Sequence, residues 1–389
     1  MPPFERSKIL VVEPKWTGHY PMFAALTAEA LRTLSPSVTL SLTVESCDEP
    51  GCMAGLAAAS VTDRVEVRRS LPNLTGGYSP VTEAGGRLEW SLIAEEVARI
   101  KPDMIVLPSA DAVACVRPGR RPSQINAATI AGCVHGARFG YGGRGLRFLL
   151  RREWMRRRWR QSGIHLGSMD PIAVRNRGSL SLRILPHPLS MRSESPTASR
   201  SLPLNEQFGK RRVILAIGEH SNRKRTDRLI LGWPDPAPEN AVLVVAGRRG
   251  AEVDDALESR RGDLESGRIV SIDRTLSTPE FDGLLERADV TTAIYQQHVG
   301  ISGVVFDAAR LGTAVLASQE GGIGHMVKEH GLGRVIPSAD DAVLAAALAD
   351  VASEDPRTNP ALRDAFVKTG SKASVAEAWE RLIPRTHRV

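Results

Sequence analysis

Short, nearly unbroken apolar runs recur along this chain, and the longer stretches between them return an apolar residue every three or four positions. The short runs read as strands: Ile9–Glu13, Val38–Val44, Met104–Pro108 and Thr129–Val134 in the first half, then Val213–Gly218, Val242–Ala246, Ile269–Ile272, Val290–Ile294 and Ala314–Ala317 in the second. Most lack a polar residue at every second position, which predicts strands covered on both faces and hence parallel sheets. Stretches such as Met22–Thr33, Trp90–Ile100, Thr278–Arg287 and Ala342–Val351 carry the helical period. This β-α alternation predicts two doubly wound α/β domains.

A break in composition marks the boundary. Leu182–Leu189 reads as a last strand stopped by Pro186 and Pro188, and residues 190–204 are rich in Ser, Pro and Thr. The expected organisation is an N-terminal domain over 1–190, a linker over 191–210, a second domain over 211–370 and a C-terminal helix within 371–389, where Trp379 and Leu382 share an apolar face. A length of 389 residues agrees with two cores.

Composition narrows the class only a little. With 42% hydrophobic and 24% charged residues the chain is an ordinary globular one. No run of about 18 apolar residues marks a membrane-spanning helix. Met1–Arg6 shows no signal-peptide core and leads straight into Ile9–Val12, so a cytoplasmic protein is expected. The four cysteines, Cys47, Cys52, Cys115 and Cys133, match no zinc spacing and are expected to be reduced thiols.

Candidate chemistry concentrates in two segments of the second half. Gly218-Glu219-His220-Ser221-Asn222-Arg223-Lys224 follows the strand Val213–Ile217, and Gly300-Ile301-Ser302-Gly303 precedes Phe306-Asp307-Ala308 and Gly312. The first offers two cations at a strand-to-helix turn, and the second a glycine-lined helix start followed by a carboxylate. Cations neutralise a diphosphate, helix-start N–H groups hold anions, and a carboxylate accepts from ribose hydroxyls. Together they point to a nucleoside-diphosphate ligand.

Over about 210–340 the order is strand, Gly-x5-Lys, strand-Ala-Gly, Pro279-Glu280, Ala288-Asp289-Val290, the glycine loop, then Gly321-Gly322 with Val327 and Gly331. This resembles the retaining family 4 glycosyltransferases of the GT-B type, in which two Rossmann-like domains face each other across a cleft. The first half is similar in layout, with Gly18-His19 in the first strand-to-helix loop and Cys133-Val134-His135-Gly136 at a strand end. The resemblance implies that Lys224 contacts the donor diphosphate, with Arg223 as second cation because Glu219 occupies the family arginine's place. It implies that Asp307 binds ribose, and that Gly18, His19, Gly218, Gly300, Ile301, Ser302 and Gly303 line the donor. It implies His135 as an active-site histidine, and a last helix that packs back on the first domain. The family's first donor carboxylate would fall at 299, where this chain has Val299.

Several of these residues have plainer readings. His135 is equally a satisfied histidine at a strand end, and Asp111 a helix cap. Asp254-Asp255 and Asp340-Asp341 read as caps and solvated faces, not metal pairs. No catalytic metal is expected, since Arg223 and Lys224 would supply the charge.

Residues 144–160 hold eight arginines. On a helical wheel Leu146, Leu149, Leu150 and Trp154 form one apolar face, expected to pack on the domain. Phe148, Met155 and Trp159 form a second stripe among Arg151, Arg152, Arg156 and Arg158. The second stripe is expected to project toward an anionic membrane surface, which suits a lipid-linked acceptor. Nucleic acid is not an expected partner, because no RNA or DNA module accompanies the patch.

The expected function is transfer of a sugar from a nucleotide-diphosphate sugar to a glycan, glycolipid or small-molecule acceptor, in cell-surface polysaccharide synthesis. Catalysis is assigned to His135, Arg223 and Lys224, with the nucleotide sugar as co-substrate and no separate cofactor. Two alternatives remain: a degenerate GT-B subunit that binds nucleotide sugar or glycan, and a sugar-nucleotide epimerase or hydrolase on the same fold.

Overall fold

The computed structural model describes residues 7–15, 20–43, 65–71, 81–136, 141, 145–188, 208–220, 222–296, 298 and 300–383. The chain forms two compact units, residues 1–193 with 368–389, and residues 194–367.

The first unit is built on seven strands, β1 (Ile9–Glu13), β2 (Val38–Thr43), β3 (Glu66–Leu71), β4 (Met104–Leu107), β5 (Thr129–Cys133), β6 (His165–Ser168) and β7 (Leu182–Ile184). Their order is β3-β2-β1-β4-β5-β6-β7, and all pairings are parallel. Every residue of β1 is buried, as an apolar central strand between two helix layers requires. Its helices are α1 (Tyr20–Leu31), α2 (Glu83–Ile100), α3 (Leu146–Arg160) and α4 (Pro171–Arg175).

The second unit repeats the plan with six strands, β8 (Arg212–Ile217), β9 (Ala241–Ala246), β10 (Ile269–Ile272), β11 (Val290–Ala293), β12 (Ala314–Ser318) and β13 (Gly333–Ile336). The order is β10-β9-β8-β11-β12-β13, again all parallel. Its helices are α5 (Thr226–Leu231), α6 (Ala251–Ser259), α7 (Arg261–Glu265), α8 (Thr278–Arg287), α9 (Gly303–Leu311), α10 (Gly321–Glu329), α11 (Asp341–Ser353) and α12 (Pro360–Thr369). Two apolar clusters cover the two faces of this sheet, one including Ile214, Leu243 and Leu316, the other Leu215, Val244 and Val315. The last helix, α13 (Lys372–Leu382), belongs to the first unit, where it packs on α1. Trp379 and Leu382 are buried there, and Lys372 is ion-paired with Glu29.

Three strands escape the apolar pattern. β3 reads Glu-Val-Arg-Arg-Ser-Leu and β13 reads Gly-Arg-Val-Ile, and both are edge strands with charged side chains. β6, His-Leu-Gly-Ser, is too short and polar to register. Helix α2 begins seven residues before Trp90 because Thr82 caps it, accepting from Gly85 N at 3.1 Å. Gly85 and Gly86 mask this first turn in the sequence. Gly86 is required, since a Cβ there would lie 2.1 Å from the Ala112 carbonyl oxygen.

Candidate functional site

In the second sheet β8 lies between β9 and β11, so the strand order reverses at β8. In open α/β sheets ligands bind outside the carboxyl ends of the strands at such a point. Gly218, at the end of β8, has φ +93°, and a Cβ there would meet the Lys224 Nζ at 3.0 Å. The Lys224 ammonium donates to the Ile217 carbonyl at 2.8 Å. Gly247, ending β9, lets its loop touch this turn: a Cβ there would lie 2.2 Å from the Gly218 oxygen. His220 N donates to the Arg248 carbonyl at 2.8 Å and extends the ladder into the loop.

The His220 ring is a brace. A carbonyl only accepts, so Nε2 carries the proton it shares with Ala246 O at 3.2 Å, and Nδ1 accepts from the Thr226 hydroxyl at 2.9 Å. Burial, then the nearby Lys224, lower its pKa to about 4, so it stays neutral.

Arg223 and Lys224 close a 3-10 turn (Asn222–Lys224). Burial, then Arg223, lower the Lys224 pKa to about 8, against the opposing pull of Glu219. Arg223 is exposed, its guanidinium 5.4 Å from the Tyr295 ring centre and 3.4 Å from His298 Nδ1. The buried His298 gives its Nε2 proton to the Ile301 carbonyl at 3.3 Å, which leaves the Nδ1 lone pair toward Arg223. Burial, then Arg223, lower the His298 pKa to about 4. Tyr295 and His298 lie with ring centres 4.6 Å apart, and the Tyr295 hydroxyl shares a 2.9 Å hydrogen bond with Ser302. A neutral imidazole and an aromatic face therefore hold one cation in place.

The glycine loop enters α9 beside these groups. Gly300 has φ +102°, Ser302 is the N-cap residue, and a Cβ on Gly303 would meet nothing within 4 Å. The helix start is thus open on the side of Gly303 and carries the partial positive charge of the helix dipole. Asp307 lies one turn further along α9 and is buried. The structure so gathers Gly218, Arg223, Lys224, Ile301, Ser302 and Gly303 at the loops of β8 and β11. Tyr295 and His298 were missed in the sequence. An aromatic and a histidine between a strand end and the glycine loop were the available signal.

The first sheet has its own reversal at β1, between β2 and β4. Glu13, Lys15, Glu89, Ser109 and Asp111 are all buried there. Lys15 Nζ bonds Ser109 Oγ and lies 3.7 Å from Glu89. Burial alone would lower the Lys15 ammonium, but Glu89, Glu13 and Asp111 outweigh it and raise it. Burial raises the Glu13 carboxyl to about 8, against the pull of Lys15. Glu89 is the partner that balances Lys15, and Glu13 stays protonated near neutrality. A folded pKa above the unfolded value means that the fold binds the extra proton between about pH 4.5 and 8. That contribution to stability is complete below this window and is lost as pH rises through 8. Glu13→Gln is therefore expected to change stability little at about pH 4.5 and to remove part of the decline between there and about pH 8. Glu89→Gln, which leaves a buried ammonium unbalanced, is expected to cost about 3 kcal/mol. Urea titrations at both pH values test the pair, and equal costs for both variants would contradict this assignment.

Asp111 is not a helix cap. Its carboxylate accepts the backbone N–H of His135 at 3.2 and 3.1 Å and that of Gly136 at 2.7 Å. His135 Nε2 donates to the Pro108 carbonyl at 2.8 Å, and its ring meets Tyr20 and Phe23 edge-on, each at 5.5 Å. Burial holds its pKa below the usual imidazole value. One ring nitrogen of this candidate catalytic residue is thus committed to the end of β4. Gly18 and His19 lie outside the described residues, as does position 299.

Residues 211–354 match the family "Glycosyl transferases group 1". The complex of Anabaena HepE with UDP superposes with a TM-score of 0.65 at 14% identity, covering 95% of this chain and 97% of that one. WaaG, described as a glycosyltransferase of lipopolysaccharide biosynthesis, gives 0.60 at 15% identity over 96% and 98%. A Listeria monocytogenes protein described as a UDP-N-acetylglucosamine 2-epimerase gives 0.61 at 14% over 96% and 94%. No curated protein matches the sequence. The fold is GT-B. The family match lies within its second unit.

The basic helix of the first GT-B unit is oriented opposite to the expectation. Met155 and Trp159 are 3% and 1% exposed and belong to the core, with the Trp159 indole donating to the Asp111 carbonyl at 3.2 Å. Phe148 is half-buried. Leu146, Leu149 and Leu150 are instead 72%, 42% and 61% exposed. The Trp159 indole finds both apolar contact and a hydrogen-bond acceptor in the core, and a leucine could use only the first. The arginines divide accordingly. Arg158 pairs with Glu83 at 2.9 Å, and Arg156 donates to the Asn176 carbonyl at 2.7 Å. Arg152 is half-buried, and Arg147 and Arg151 are exposed beside the leucines.

Among the described residues no helix is long and apolar enough to cross a membrane, and no group of three His, Cys, Asp or Glu is placed to hold a metal ion. Asp254 pairs with Arg249, and Asp341 with Arg228.

Proposed function

We propose that the chain is a retaining glycosyltransferase that binds a nucleotide-diphosphate sugar in its second unit and transfers the sugar to a glycan or lipid-linked acceptor. The observation that carries this reading is the pair Arg223 and Lys224 at the β8 reversal, beside the open start of α9. Lys224 holds its charge against desolvation and a neighbouring cation, and a diphosphate would relieve both. The same two cations are preorganised for the charge that develops on the leaving diphosphate. Asp307 is assigned to ribose. Val299 offers no nucleophile, so departure of the diphosphate with same-face attack by the acceptor is the expected course. His135 is assigned to orient the sugar.

HepE has been crystallised with UDP and with UDP-glucose, which makes uridine the first base to test. Titration with UDP, GDP, ADP, dTDP and CMP and their sugars is expected to single out one nucleoside diphosphate, with affinity unchanged by EDTA. No binding by any of them would move the reading to a degenerate GT-B subunit, which Val299 and Glu219 favour.

The lipid-linked acceptor places the protein at the inner face of a membrane, in polysaccharide synthesis. The contact is assigned to Leu146, Leu149 and Leu150 with Arg147 and Arg151, each arginine near an anionic surface adding about 1 kcal/mol. Replacing the three leucines by serine is expected to abolish co-sedimentation with phosphatidylglycerol vesicles. Undiminished binding would contradict the assignment.

A further inference from the structure

Glu320 stands at the carboxyl edge of β12, at the N-cap position of α10. A side chain there commonly bonds the N–H groups of its own helix, and Glu320 makes no such bond. It turns to the neighbouring loop, where Oε2 accepts the backbone N–H of His298 at 3.4 Å. The two loops are locked together. Gly322 N donates to the Gly300 carbonyl at 3.0 Å, and a Cβ on Gly321, at φ +67°, would lie 2.9 Å from the His298 oxygen. Among the described residues no cation pairs with Glu320, which leaves a half-buried carboxylate with acceptor capacity to spare.

His298 links this carboxylate to the cation: its backbone meets Glu320, and its ring meets Arg223 at 3.4 Å. A phosphate-binding guanidinium and an acceptor-only carboxylate thus stand on two sides of one residue. That arrangement fits a ligand with a phosphate at one end and adjacent hydroxyls at the other. We infer that Glu320 receives the hydroxyls of the transferred sugar and selects a neutral sugar with a vicinal diol over an anionic one. A carboxylate accepts two hydroxyl protons at once, and it repels a second carboxylate in the same half-buried place.

The inference rests on the donor reading and separates from it experimentally. Wild type, Glu320→Gln and Glu320→Ala are titrated with UDP, UDP-glucose and UDP-glucuronic acid, and with GDP and GDP-mannose. Nucleoside-diphosphate affinity is expected to stay within about twofold in both variants, which also reports that they fold. Affinity for the neutral nucleotide sugar is expected to fall about tenfold or more, the worth of a charged hydrogen bond. Glu320→Gln is expected to narrow the gap between UDP-glucuronic acid and UDP-glucose. Unchanged sugar affinity with intact nucleotide binding would overturn the role of Glu320 alone. Failure of both UDP and GDP to bind wild type would overturn the donor reading beneath it.

Discussion

Replacing Lys224 by methionine is expected to abolish nucleoside-diphosphate binding while leaving the unliganded protein as stable as wild type, or more so, at neutral pH. The fold lowers the Lys224 pKa to about 8, below the value of about 10.4 in an unfolded chain. A lysine lowered in the fold costs stability while it is charged. The cost is full below about pH 8 and disappears as pH rises toward 10.4, where the unfolded chain alone keeps the proton. Methionine keeps the apolar stem and removes that cost. Binding responds oppositely, because a half-buried phosphate loses a charge-assisted partner. The expected loss is about 100-fold or more in affinity and in kcat/KM, the scale seen when one preorganised donor is removed. Thermal unfolding and calorimetric titration of the same sample read both effects. A variant that binds normally, or one that fails to fold, would contradict the role assigned to Lys224.

Gly247→Ala carries the largest expected effect on stability. The residue has φ +127°, and its Cβ would fall 2.2 Å from the Gly218 oxygen and 2.7 Å from the Gly218 carbonyl carbon. Both obstacles are backbone, so no side chain can move aside. Backbone strain and overpacking together are expected to cost about 3 kcal/mol or more. The loops after β8 and β9 must then part, which shifts Gly218 and with it the Lys224 ammonium. Stability and nucleotide affinity are expected to fall together, unlike in the Lys224 variant. Gly262→Ala is the control: a Cβ there meets nothing within 4 Å, and Gly262 lies inside α7, where alanine is the better helix former. Equal stability of the two variants would contradict the close approach of these loops.

The fold was largely legible because its central strands are buried on both faces. Val213–Ile217 and Val242–Ala246 had little freedom to be anything but parallel strands. The edge strands β3 and β13 carry charge because they face water, and the same exposure hid them. The cations Arg223 and Lys224 were visible because a glycine and a strand end frame them. His298, Tyr295 and Glu320 were not, because their contacts join loops that the chain separates by tens of residues. Helix α3 shows the limit of periodicity. It presents two apolar stripes, and only the packing of Met155 and Trp159 beneath Asp111 decides which one is buried.

The most direct test of the donor site is proton uptake on binding. Calorimetric titration of the selected nucleoside diphosphate at pH 8, in buffers of different ionisation enthalpy, counts the protons taken up. With the Lys224 pKa at about 8, roughly half of the sites start neutral, so uptake of about half a proton per site is expected. Lys224→Met should remove that uptake together with most of the affinity. Binding with no proton uptake in wild type, or no binding of any nucleoside diphosphate, would contradict a diphosphate held by Lys224.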